Sequence, residues 1–137
     1  MDKALLNDKI ILKDKILQKI IERAKRDPEV IAIALFGSYA REEQYRDIDI
    51  CIFLAQKKYN ELAISRKKLE YTPDNEKYDV QIFQQLPIYI RKRILKEAKI
   101  LYQRNSDDLY DIYYSTIQQY AHFEPIYEGY LKEVAHG

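Results

Sequence analysis

Tryptophan is absent from this chain of 137 residues, and cysteine and methionine occur once each. The single Cys51 permits no internal disulfide and rules out a cysteine-built zinc site. No apolar run approaches the roughly 18 residues that a membrane-spanning helix needs. Met1-Asp2-Lys3 leads into a Lys/Asp-rich pattern rather than an apolar signal segment, so a cytoplasmic location is expected. With a net charge of +1 the chain lacks the basic footprint of a nucleic-acid binder, and RNA or DNA is not an expected partner. What remains, 47% hydrophobic and 33% charged residues, is the composition of a single soluble globular domain with a real core.

Apolar periodicity divides that domain into alternating helices and strands. Residues 3 to 26 read as one amphipathic helix with Leu6, Ile10, Leu17, Ile20, Ile21 and Ala24 on a stripe, stopped by Asp27-Pro28. Val30-Ile31-Ala32-Ile33-Ala34-Leu35-Phe36 is β-branched without alternation, as in a central strand buried on both faces. Ser38 is placed to cap a short helix over 39–43. A second strand runs from Asp47 to Leu54, a polar helix from 59 to 69, and a third strand from Tyr78 to Phe83. Leu86-Pro87 opens a helix reaching 98, residues 99–102 form an edge strand, and a final helix covers 107–121, its inner face carrying Leu109, Ile112, Tyr113, Thr116, Ile117 and Tyr120. Beyond Glu124-Pro125 a separate helical piece reaches about Val134. The architecture expected is α/β (α+β), a small mixed sheet flanked by helices with a C-terminal helical tail: residues 1–103 as the main body and 104–137 as its aromatic-rich extension.

Chemistry concentrates between the first two strands. Gly37-Ser38 after an apolar strand offers backbone N–H groups to a phosphate. Asp47 and Asp49, two apart on a strand, point to one side of the sheet while Ile48, Ile50 and Ile52 point to the other. Paired carboxylates can share divalent cations. Nucleotidyl transfer asks for little more than an in-line nucleophile and neutralisation of the charge on the moving phosphate. Two Mg²⁺ ions roughly 4 Å apart provide it, commonly held by three carboxylates. Asp79, opening the third strand with Val80 and Ile82 turned away, is the candidate third ligand. Arg41 is either a phosphate contact or an exposed residue of a charged loop. Arg91-Lys92-Arg93 reads first as a solvated helix face.

Taken together, Leu35-Phe36-Gly37-Ser38-Tyr39-Ala40-Arg41, Asp47-Ile48-Asp49-Ile50 and Asp79-Val80 resemble the minimal nucleotidyltransferase (MNT) family of the polymerase-β superfamily. The segment from Leu86 to Ala98 resembles the helix that follows the third carboxylate there, and the likeness covers residues 10 to 103. It implies a polymerase-β-like fold, Gly37 and Ser38 at the nucleotide phosphates, and Asp47, Asp49 and Asp79 as both catalytic residues and Mg²⁺ ligands. Two departures stand out: the loop from Tyr39 to Arg46 has only eight residues, shorter than is common in the family, and Glu42 stands where glycine is favoured. A narrower nucleotide pocket or a changed base preference would follow, with no metal ligand lost.

Stand-alone MNT proteins resemble the antitoxin half of a pair whose other half is a HEPN-type helical ribonuclease. The resemblance implies transfer of AMP from ATP to a tyrosine of that toxin. The chain is too short to include a large acceptor-binding domain, so the acceptor surface is expected from another protein, in a hetero-oligomer or homo-oligomer. Tyr110, Tyr113, Tyr114, Tyr120, Phe123, Tyr127 and Tyr130 occupy too much of the last helix for all to face a core, and tyrosine suits interfaces. Two alternatives differ in class: a non-catalytic antitoxin acting by occlusion, and transfer to a small molecule or RNA end. Cys51 is expected as a small buried hydrophobe.

Overall fold

A computed structural model describes residues 13–37 and 47–136. Four strands form one sheet: β1 (Val30–Phe36), β2 (Ile48–Leu54), β3 (Tyr78–Ile82) and β4 (Lys99–Gln103), in the spatial order β3-β2-β1-β4. β1 is antiparallel to both β2 and β4, whereas β2 and β3 are parallel. Helices α1 (Lys15–Lys25), α2 (Glu61–Tyr71), α3 (Ile88–Glu97) and α4 (Ser106–His136) flank it, with a short 3-10 turn at Phe83–Gln85. The mixed sheet and edge strand agree with the sequence reading.

Each face of the sheet carries its own core. On one, Ile33 and Leu35 of β1, Ile48, Ile50 and Ile52 of β2, and Val80 and Ile82 of β3 pack against Leu17, Ile20, Ile21 and Ala24 of α1. On the other, Ala32, Ala34, Cys51 and Phe53 meet Ile94 of α3 and Leu109 and Ile112 of α4. A bulge between Val30 and Ala32 lets Ile31 and Ala32 share this second face despite being consecutive. That double burial is why β1 reads as an unbroken apolar run.

The structure corrects several boundaries. Asp14 is extended and caps a helix that begins at Lys15, inside the span of 3 to 26 expected for one helix; residues 1–12 lie outside the described part. One Asp14 oxygen accepts from the N–H groups of Ile16 and Leu17, and the other from the Tyr78 hydroxyl at 2.6 Å. A carboxylate that caps a helix and reaches a strand at once outweighs the propensity of one more turn. Phe83 leaves the third strand for the 3-10 turn and stacks on Phe53 with centroids 4.5 Å apart. The polar helix begins two residues late, at Glu61, because Asn60 caps it through the Ala63 N–H. Ile117, expected on the inner face of the last helix, is 55% exposed. The short helix expected over 39–43 lies outside the described residues.

A second linkage ties α2 to the corner between α1 and β1. Lys67 Nζ sits 2.8 Å from Asp27 and 3.0 Å from Glu29, and the Tyr71 hydroxyl donates to the same Asp27 oxygen at 2.9 Å.

Candidate active site

The strand directions bring the end of β1 and the starts of β2 and β3 to one edge of the sheet. Phe36 pairs across the ladder with Asp49, which in turn pairs with Asp79. Register partners on parallel strands project to the same face, so Asp49 and Asp79 share a side, opposite the buried isoleucines. Asp49 is half-buried, while Asp79 is exposed and accepts from Gln81 Nε2 at 3.2 and 3.3 Å. Asp47 lies one residue ahead of β2 and is exposed; ladder pairing begins at Ile48, whose N–H donates to the Lys77 carbonyl. Among the described residues no three His, Cys, Asp or Glu side chains are gathered as a metal-holding cluster. Ser38 and Arg41 lie outside the described residues.

Gly37 brings the backbone close against the Asp49 carboxylate. Its φ is +76°, and a Cβ placed on it would stand 2.3 Å from Asp49 Oδ2. Only glycine meets both conditions without displacing Asp49. The donor chemistry suits a hard divalent cation: carboxylate oxygens alone, on adjacent strands in register.

A cleft of about 270 Å³ opens beside Asp49. Phe36, Gly37 and Asp49 line it from the sheet side, and Ile90, Arg93, Ile94 and Glu97 line it from α3. Arg93 Nε lies 3.6 Å from Glu97 Oε2. The sequence reading places Arg93, within its basic run, on a solvated helix face and gives Glu97 no role. Their i, i+4 spacing on the helix after the third carboxylate was the available signal, hidden inside the basic run.

That run is not one basic patch. Arg91 donates to the Leu86 carbonyl and to Gln119 Oε1, each at 3.0 Å, and burial lowers the pKa of its guanidinium. Lys92 Nζ lies 4.0 Å from the centroid of the Tyr120 ring. Two of the three cations therefore bind α3 to α4, and only Arg93 serves the cleft. Cys51 is buried on the same sheet face as Asp49, and burial pushes its thiol far above the ordinary range.

The fold and this site define a small nucleotidyltransferase domain. Residues 18–107 match the family described as Polymerase beta, Nucleotidyltransferase, and the chain belongs to it. A candidate protein adenylyltransferase of Methanocaldococcus jannaschii is 38% identical over 77 residues, covering 54% of this chain and 57% of that protein. The match thus spans little more than half of that relative. A chain from a toxin-antitoxin crystal structure with AMP-PNP superimposes with a TM-score of 0.64 at 23% identity, over 87% of this chain and 95% of that one. Another comes from a tri-AMPylated Shewanella oneidensis HEPN toxin in complex with MNT antitoxin. Its TM-score is 0.63 at 20% identity, over 96% and 98% of the two chains. At such identities these likenesses concern the fold. No helix among the described residues is long and apolar enough to cross a membrane.

Proposed function

We propose that this protein is a Mg²⁺-dependent protein adenylyltransferase, transferring AMP from ATP to a tyrosine of a cognate HEPN ribonuclease toxin and so acting as its antitoxin in the cytoplasm. The observation that carries the reading is the register pairing of Asp49 with Asp79 beside Gly37, on the sheet edge where a nucleotidyltransferase of this family needs its carboxylates. The name of the M. jannaschii relative and the toxin complexes of like fold support the choice of acceptor.

Asp47, Asp49 and Asp79 would hold the ions, which when bound neutralise charge on the phosphates. Gly37 and Ser38 would present backbone N–H groups to the nucleotide, with Arg41 as a further phosphate contact. The acceptor hydroxyl oxygen bonds to the α-phosphorus, the α–β bridging P–O bond breaks, pyrophosphate leaves and the phenolic proton passes to solvent or a nearby base. The side of α4 that carries Tyr110 and Tyr114, both exposed, would seat the toxin. Intact-mass spectrometry of the co-expressed toxin, incubated with this protein, ATP and Mg²⁺, tests the reading. A gain of one or more AMP units is expected. A tight complex without any mass gain would replace it with neutralisation by occlusion.

A further inference from the structure

The cleft beside Asp49 poses an electrostatic problem for any polyphosphate. Its described lining carries two carboxylates, Asp49 and Glu97, and a single cation, Arg93. A nucleoside triphosphate entering such a site needs positive charge beyond whatever sits on the aspartates, because its β- and γ-phosphates extend away from the reacting α-phosphorus. Arg93 is well made for the task. Its side chain is 62% exposed, its partner among the described residues is Glu97 at 3.6 Å, and it sits on a helix anchored by the buried Ile94. Arg91 and Lys92, the adjacent cations, are already committed to Leu86, Gln119 and Tyr120.

We propose that Arg93 is the residue that binds the β- and γ-phosphates of the triphosphate, and that Glu97 is the counter-ion holding the guanidinium at the cleft until the nucleotide takes it over. A planar guanidinium fork donates two parallel N–H bonds to phosphate oxygens, a bidentate geometry that an ammonium group lacks. The 3.6 Å ion pair is longer than a hydrogen bond, so exchanging Glu97 for a phosphate forfeits little. This makes Arg93 a discriminator between nucleoside triphosphates and monophosphates. The inference rests on the transferase reading, and the test separates the two.

The experiment is isothermal titration of the full chain with ATP and with AMP, both with Mg²⁺, for the unaltered protein, Arg93→Gln and Arg93→Lys. Arg93→Gln is expected to weaken ATP binding by about ten- to a hundredfold, the scale of a hydrogen-bonded charged contact, and to leave AMP binding unchanged. Arg93→Lys is expected to fall between. Unchanged ATP affinity in Arg93→Gln, or equal weakening for ATP and AMP, would overturn the assignment. Failure of the unaltered protein to bind ATP would instead overturn the transferase reading, and this inference with it. Arg93 is exposed, so circular dichroism of each variant is expected to match the unaltered chain.

Discussion

Replacing Gly37 by alanine separates the two demands made on that position. The first is conformational: at φ +76° an L-residue occupies left-handed backbone, which costs about 1–2 kcal/mol for a side chain that prefers otherwise. The second is steric. The new Cβ would meet Asp49 Oδ2 at 2.3 Å and Cγ at 3.3 Å, so the short carboxylate has to rotate away or the loop has to lift. Strain of about 1–2 kcal/mol in a chain of this length lowers the melting temperature by about 3–7 °C, measurable by circular dichroism. Displacing a carboxylate that positions reacting groups costs far more in rate, about a hundredfold for a shift near 1 Å, measurable as AMP incorporated per minute by intact-mass spectrometry. The expected variant is therefore folded, modestly less stable and nearly inactive. Transfer within about threefold of the unaltered protein would refute the claim that the close approach of Gly37 to Asp49 matters to catalysis. An unchanged melting temperature would refute the strain argument separately.

Asp49→Asn and Asp79→Asn keep shape and hydrogen-bonding capacity while removing charge. Each is expected to abolish AMP transfer with little effect on melting, and normal incorporation in either would exclude that residue as a metal ligand. Lys67→Met removes the cation between Asp27 and Glu29 and is expected to cost about 1–3 kcal/mol in urea denaturation, the penalty for stranding a partly buried carboxylate. The same site makes stability depend on pH. Burial would raise the Asp27 carboxyl, but hydrogen bonds from Lys67, the Glu29 N–H and Tyr71, with the charge of Lys67, hold it below its ordinary value. A carboxyl depressed in the folded state stabilises above its unfolded pKa, so the contribution is present above about pH 4 and disappears as the pH falls lower. Urea titrations between pH 3 and 6 are expected to show a shallower decline in Lys67→Met than in the unaltered chain. Cys51 is expected to stay silent toward Ellman's reagent until the protein is unfolded, since a buried thiol raised in pKa offers almost no thiolate; rapid labelling of the native state would contradict its burial.

The sheet was legible because two of its strands announce their surroundings. Ile48, Ile50 and Ile52 alternate with Asp49, Cys51 and Phe53, and this period of two alone assigns the carboxylate to its face. Asp79 could be placed on the same face by the same rule, and the parallel ladder makes it the partner of Asp49. The i, i+4 spacing marks Arg93 and Glu97 as a pair, but their place at the cleft was not legible, because that spacing does not say which face of the helix turns to it. That depends on how α3 lies on α4, which Arg91, Lys92 and the stack of Tyr89 on Tyr127 (centroids 5.8 Å apart) help to set. The capping role of Asp14 was hidden for a related reason: one of its partners is Tyr78, a residue far along the chain.

The last helix shows which kind of sequence signal prevails when two disagree. Pro125 argues for a stop, since it donates no N–H to the turn before it and crowds that turn. Periodicity argues for continuation: Leu109, Ile112, Thr116, Tyr120, Phe123 and Tyr127 recur at steps of three and four, in one phase on both sides of the proline. The helix runs through from Ser106 to His136 with Pro125 inside it. Packing resolves the conflict. Leu109, Ile112 and Thr116 are buried, and Phe123 and Tyr127 stack on Tyr89 of α3, so each side of the proline has its own hold on the rest of the fold. A proline costs about 3 kcal/mol inside a helix, and aromatic contacts on this scale offset it through area burial and stacking, each pair worth about 0.5–1.5 kcal/mol beyond area. A phase kept across a breaker is therefore the stronger evidence, because it records which face the rest of the molecule requires.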